Sequence, residues 1–396
     1  MSKDVLDHQE KVRFGGPHTV FFYYKMSEER IRVVTRNLDD DPAAYCLYGA
    51  RDFEKKGFRI AHNLKPDLTL GRFQHSLISH LDHYLCLWGR IWGNLETVLA
   101  HRKRANLTDI VVATVDNVGI PIAFLKLMGF IHPPVIYVSI GLPEKIKYER
   151  NHFWVFLCRV ALRRMTCMVT YGFEEASWLK RWLNENGATV PVSFIPFGVD
   201  TEYFRPSLEN IAYQVDVLSM GGDVQRDYPL LLSYARKHSN TQVMVVTNKE
   251  TARTLEPVPG NVTVVCDVPF WDIRGLFAGA RVVALPLKEN TYSGATTTLL
   301  QAMAMAKPIA ISQVGAIRDG YGLKDGENCL FVKPGDIEGL GNAIDRLLSD
   351  DLLADKLGQN ARTQVVSSLS WNHYVNGMMG VIEKALEKPQ TSSKLI

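Results

Sequence analysis

Short runs of apolar residues recur along this chain, separated by longer stretches with helix-like spacing. Residues 20–24, 58–61, 110–114, 135–138 and 168–171 form such runs in the first half. Residues 215–219, 242–246, 262–265, 282–285 and 308–311 form them in the second. A strand with one wet face alternates apolar and polar residues, whereas a run that is apolar throughout fits a strand covered on both faces. Helical patterns such as 230–237 and 271–278 fall between the runs. Short buried strands alternating with helices predict an α/β fold with parallel sheets covered on both sides. The pattern runs up to the middle of the chain and starts again after it. Two doubly wound, Rossmann-like domains are therefore expected, with ligands bound beyond the carboxyl ends of the strands.

Composition narrows the function classes. The 396 residues carry a net charge of +3, too small to argue for nucleic acid. The six cysteines (Cys46, Cys86, Cys158, Cys167, Cys266, Cys329) are scattered with no C-x-x-C, which speaks against a disulfide framework or a zinc site and for a reducing compartment. No run of 18 apolar residues is present, and the polar start Met1-Ser2-Lys3-Asp4 does not read as a signal peptide. A cytoplasmic protein is expected, with residues 388–396 a frayed polar tail. Two stretches, 81–92 and 153–164, mix aromatic, apolar and basic residues. Such helix faces suit a membrane interface, so peripheral membrane contact is one reading; a helix packed on a sheet shows the same stripe.

The middle of the chain reads Ile195-Pro196-Phe197-Gly198-Val199-Asp200-Thr201-Glu202-Tyr203-Phe204-Arg205-Pro206. Pro196 fixes one backbone angle and Gly198 frees another, so the chain turns here. The segment resembles the interdomain hinge of family 4 glycosyltransferases, I-P-N-G-V-D-x-x-x-F-x-P, with Phe197 in place of Asn. Asn328-Cys329-Leu330-Phe331-Val332-Lys333-Pro334-Gly335-Asp336 resembles that family's N-G-x-L-V-x-P-G-D. Leu357-Gly358-Gln359-Asn360-Ala361-Arg362 and Ser370-Trp371 resemble its closing motifs. The motif resemblance covers about residues 192–376; before that only the strand-helix order agrees. It implies a GT-B fold: two Rossmann-like domains facing a cleft. The expected division is an acceptor-side domain (1–195), a nucleotide-sugar domain (196–370) and a helix (371–387) crossing back to the first domain.

Two elements of the second half would hold the donor. The first follows the strand run 282–285. Gly294, Ala295, Thr296 and Thr297 open a helix, and small or hydroxyl residues there leave backbone N–H groups open to a diphosphate. This segment resembles the family's E-x-F-G-x-x-x-x-E-A-M-A-x-G-x-P, matched best by Ala302-Met303-Ala304 and Lys307-Pro308. Ser293 stands where the family has a Glu near the donor sugar. Gln301 stands where it has a ribose-binding Glu, and Gln can still accept one hydrogen bond as a neutral group. Glu289, four residues upstream of Ser293, is a candidate to reach the sugar, against the plainer reading of a solvated loop acid. The second element is Gly221-Gly222-Asp223-Val224-Gln225-Arg226, after the domain's first strand. The family has G-R-L-x-x-x-K-G there, with two cations for the diphosphate. Arg226 aligns with the Lys, and the glycines would admit the donor to the backbone. Val268, with Asp267, is a weaker candidate for the base.

In the first half, Asp116 follows the run 110–114 and could bind an acceptor hydroxyl or act as base, against the alternative of an Asp opening a helix. The resemblance implies a retaining transferase using a nucleotide-diphosphate sugar and a sugar, lipid or small-molecule acceptor. No other cofactor is implied, and no D-x-D stands at a strand end to suggest a metal. Arg226 and the helix start would stabilise the leaving group. The missing Glu at Ser293 and the missing second cation near Gly221 support a second reading: a catalytically silent GT-B protein that binds nucleotide or carbohydrate as a regulatory partner. An epimerase or phosphorylase on the same scaffold is a third.

Overall fold

The computed structural model describes residues 17–36, 38, 41–64, 71–89, 91–187, 189–206, 214–292 and 294–387. The chain divides into two compact units. The first contains the residues up to Thr170, then Ala176–Ser193 and the chain from Val375 on; the second contains Tyr171–Glu175 and Phe194–Tyr374. The helix Trp371–Glu387 thus begins in the second unit, and its residues from Val375 group with the first.

The first unit is built on β1 (Thr19–Tyr23), β2 (Arg59–His62), β3 (Ile110–Ala113), β4 (Val135–Ser139), β5 (Cys167–Thr170) and β6 (Val192–Phe194), in the order β2-β1-β3-β4-β5-β6. The pairings β1–β2, β1–β3, β3–β4 and β4–β5 are all parallel. Every residue of β3, β4 and β5 is buried, as expected where helices cover both faces. Phe21, Val111 and Tyr137 share a core with Val118, Ile122 and Leu162 of the covering helices.

The second unit repeats the plan. It contains β7 (Val215–Met220), β8 (Val243–Thr247), β9 (Val262–Cys266), β10 (Ala280–Leu285), β11 (Ile309–Ser312) and β12 (Leu330–Val332), in the order β12-β11-β10-β7-β8-β9. All five pairings are parallel. Val217, Val245, Val282 and Ala310 form its core with Leu231, Leu340 and Ile344. The chain leaves β7 toward β8 on one side, while β10 returns to β7's other side. The carboxyl ends of β7 and β10 therefore mark the point where the order reverses, which is where open sheets of this kind form a crevice.

All ten strand runs read from the sequence are strands in the fold. The reading missed β12 and left 192–195 unassigned. Both β6 and β12 are edge strands of three residues, too short for an apolar run to stand out. Among the described residues, no helix is long and apolar enough to cross a membrane.

Candidate functional site

Arg226 is the centre of the candidate site. After β7 the chain passes through Gly221 and Gly222 and turns at residues 223–226. Two backbone bonds tie that turn to the segment after β10: Asp227 N–H donates to Pro286 O and Lys288 N–H to Gln225 O, both at 2.9 Å. The turn then feeds the helix Tyr228–Lys237, whose N-cap Asp227 accepts from Leu230 N–H. Arg226 is held inward by these ties and is only 5% exposed. Its Nε donates to Asp223 Oδ2 at 2.9 Å and its Nη2 to Thr298 Oγ1 at 3.2 Å. Thr298 in turn donates to Met220 O, the last carbonyl of β7. The remaining nitrogen, Nη1, is buried and has no acceptor among the described residues. Burying a charged donor without a partner is costly, so this arrangement has an unmet demand for an anionic oxygen.

The helix Thr296–Ala304 begins beside this guanidinium. Its N-cap, Ala295, makes no side-chain capping bond. A helix start carries roughly half a positive charge on its open N–H groups. Gly294 precedes it; a Cβ built there would lie 2.9 Å from Asp223 Oδ1, so the two segments are in close approach. Gly221, Arg226, Gly294 and the helix start are thus brought together at the ends of β7 and β10, as the sequence reading places them.

The glycines also meet a need inside the fold that the sequence did not show. Gly221 has φ +144°, and a Cβ there would sit 2.3 Å from Arg226 Nε. A Cβ on Gly222 would sit 2.3 Å from Asn248 Nδ2, which donates to the Gly222 carbonyl. The missing side chains make room for the protein's own Arg226 and Asn248. Gly221 O also accepts from Tyr228 Oη and Thr247 Oγ1, which fixes the loop. Burial pushes the Tyr228 hydroxyl up to about 12, so it stays a neutral donor at ordinary pH.

The other candidates are dispersed. Gln301 lies on the Thr296–Ala304 helix between Leu300 and Ala302 and is 3% exposed, so packing surrounds it in this structure. Thr296 is buried and Thr297 half-buried. Val268 is half-buried just past β9, two strands from β7; Asp267 beside it has φ 53° and pairs with Lys249 at 3.3 Å. Glu289 is exposed in the segment after β10, with Oε1 3.4 Å from Gly315 N–H. Ser293 lies outside the described residues.

Asp116 requires a correction. It opens the helix Asp116–Leu127 but is 2% exposed, and its carboxylate is already occupied. Tyr137 Oη donates to Oδ1 at 2.7 Å, Ile140 N–H to Oδ1 at 3.3 Å, and Lys145 Nζ pairs with Oδ2 at 2.8 Å. It joins β4 and the helix Leu142–Tyr148 to the end of β3. A carboxylate so enclosed is a scaffold ion pair, not an open base.

The sequence reading leaves out Asp223 and Thr298, the two groups that aim Arg226. A signal existed for each: Asp223 stands three residues before Arg226 in a turn, and Thr298 closes the run Thr296-Thr297-Thr298. Pairing the two needs the adjacency of β7 and β10, which no local pattern reveals.

A family model described as "Glycosyl transferases group 1" matches residues 226–350, beginning at Arg226 itself. The MMP alpha-(1->4)-mannosyltransferase of Mycolicibacterium hassiacum is 26% identical over 208 residues, 49% of this chain and 48% of that protein. An uncharacterised glycosyltransferase of Methanocaldococcus jannaschii is 27% identical over 115 residues, 29% of this chain and 28% of that one. The matched segments therefore span about half or less of these curated relatives. Among solved structures, sucrose-phosphate synthase from Thermosynechococcus elongatus superposes with a TM-score of 0.68 at 15% identity, covering 93% of this chain and 98% of the other. Anabaena HepE, solved in complex with UDP-glucose, gives 0.67 at 14% identity, covering 93% and 100%. At such identity the likeness speaks to fold. In fold, then, the chain is a GT-B protein, and residues 226–350 match the group 1 glycosyltransferase model.

Proposed function

We propose that the protein is a glycosyltransferase that moves a sugar from a nucleotide-diphosphate sugar to a hydroxyl of a sugar, lipid or small-molecule acceptor, with retention at the anomeric carbon. The observation that carries this reading is the buried Arg226 guanidinium, with Nη1 unpartnered among the described residues, next to an uncapped helix start. A diphosphate supplies the anionic oxygens that both features call for. As the bond from sugar to diphosphate breaks, negative charge grows on the leaving oxygen. Arg226 and the N–H groups of residues 296–298 would stabilise it, the role filled elsewhere by a metal ion. Asp223 and Thr298 act on Arg226 and not on the substrate: they hold the guanidinium so that no reorganisation is needed when the charge develops. Val268 and Asp267 would lie toward the base and Gln301 toward the ribose, and Glu289, four residues before Ser293 in the chain, is the carboxylate that would stand in for the family's missing sugar-binding Glu. The retained configuration fits front-face attack without a covalent intermediate. UDP-glucose is the first donor to try, because HepE was solved with it.

The test is slow hydrolysis of nucleotide sugars in the absence of acceptor, followed by product analysis by NMR. Release of nucleoside diphosphate and an axial product from an axial donor support the reading. Nucleotide binding without any release of diphosphate would indicate the silent, regulatory alternative. An inverted product would remove the retaining mechanism and leave the donor site intact.

A further inference from the structure

The helix Arg72–Trp88 in the first unit is amphipathic in the wrong sense for a buried helix. Leu77, Leu81, Tyr84 and Trp88 share one face, at spacings of four, three and four residues. They are 62%, 44%, 63% and 41% exposed, and Leu87 beside them is 72% exposed. The adjoining flank packs inward through Ile78 and Leu85. The surface continues onto the helix His152–Leu162. Trp88 meets Phe153 with ring centroids 6.2 Å apart, and Phe153 and Phe156 are 59% and 57% exposed. Single exposed apolar residues are ordinary, but a joined patch of seven large ones marks a place where water is to be displaced.

Charge decides between occupants. Residues 71–92 and 142–164 contain eight Lys or Arg and three acids; of the cations, Lys145 pairs with Asp116, Lys147 with Glu144 and Arg159 with Glu185. Asp82 is turned to its own fold, accepting from Trp92 Nε1 at 2.7 Å and Leu95 N–H at 3.2 Å. Glu149 is buried and accepts from Asn151 N–H. Lys147, Arg150 and Arg164 are exposed, and Tyr148, 75% exposed, stands between the first two. A second copy of this surface would set like charges against each other. An anionic bilayer surface instead takes the apolar side chains into its acyl boundary, the Tyr and Trp rings at headgroup level, and the cations against lipid phosphates. We propose that this face, the helix Arg72–Trp88 with Phe153 and Phe156, seats the first unit on an anionic membrane surface as a peripheral contact. Nothing in it depends on the donor site.

The full chain should cosediment with vesicles of phosphatidylcholine and phosphatidylglycerol, more weakly with phosphatidylcholine alone, and less as salt is raised. Replacing three well-exposed residues, Leu77→Asn, Tyr84→Asn and Leu87→Asn, should cut vesicle affinity by roughly a hundredfold with an unchanged melting temperature. Arg150→Glu with Arg164→Glu should remove the preference for phosphatidylglycerol. UDP binding, measured on the same samples, should not move with either set. Failure of the unaltered chain to cosediment overturns the proposal, as does unchanged binding by the triple variant. A dimer in sedimentation velocity that dissolves in the triple variant, with no vesicle binding, would assign the face to self-association instead.

Discussion

Arg226 and Gly221 form one device at the residue scale. Arg226→Ala should weaken donor binding and turnover together, by about ten- to a hundredfold in kcat/KM, since a charge-assisted bond is worth about 1.5–3 kcal/mol. Gly221→Ala should do much the same from the other side, because a Cβ 2.3 Å from Nε displaces the guanidinium. The two losses should not add; a double variant as impaired as the product of the singles would show that Gly221 acts elsewhere. Gln301→Leu separates its two roles. A loss of UDP affinity makes it a ribose contact, our expectation from the family alignment, whereas unchanged affinity would leave it as packing. Asp116→Asn should cost about 1–3 kcal/mol of stability, below the range for breaking a fully buried ion pair because Lys145 is nearly half exposed. Donor KM should hold. A stable Asp116→Asn protein with no turnover would restore Asp116 as the acceptor base.

The mid-chain segment behaves as an element with its own small core. Phe197, where the family pattern has Asn, is 6% exposed, with ring centroids 5.1 Å from Tyr171, 5.7 Å from Trp371 and 4.9 Å from Tyr374. Its backbone N–H donates to Tyr321 Oη, which itself donates to Tyr171 O at 2.6 Å. Val199 is tied to the same place: it accepts from Trp371 N–H and donates to Leu369 O. Gly198 is needed because a Cβ would meet Ser370 O at 2.7 Å. Phe197→Asn, which restores the family residue, should therefore destabilise by about 3–5 kcal/mol, the range for emptying an aromatic site, with a desolvated amide added. Urea denaturation would measure it, and a loss under 1 kcal/mol would mean that the ring cluster repacks around the smaller side chain. The motif itself was legible in the sequence. The reason for its aromatic departure was not, since Tyr171, Tyr321 and Trp371 lie far apart along the chain.

At the scale of the whole molecule, each unit has its own sheet and its own core. A ligand stabilises what it binds: at a hundred times its dissociation constant it adds about 2.7 kcal/mol. In scanning calorimetry UDP should therefore raise the transition of the unit that contains Arg226 and leave the other transition where it is, if the two are resolved. An upward shift confined to a fragment of the first unit, with none in the second, would place the nucleotide elsewhere and remove the donor site argued from Arg226.

The sequence alone determined the fold class, because burial on both faces of a parallel strand leaves an apolar run that survives in one dimension. It also determined which loops follow which strands, and so put Gly221 and Arg226 after β7 and Gly294 after β10. Only the tertiary structure decided how these groups are used. That β10 lies against β7 puts Thr298 on Arg226, and the turn at 223–226 puts Asp223 on it as well. It gave the glycines to Arg226 and Asn248, closed Asp116 inside an ion pair, and turned an apolar stripe of the Arg72–Trp88 helix outward. Hydrogen bonds and close approaches depend on distances between segments far apart in the chain, and burial depends on what packs over a side chain. Spacing along the sequence records neither.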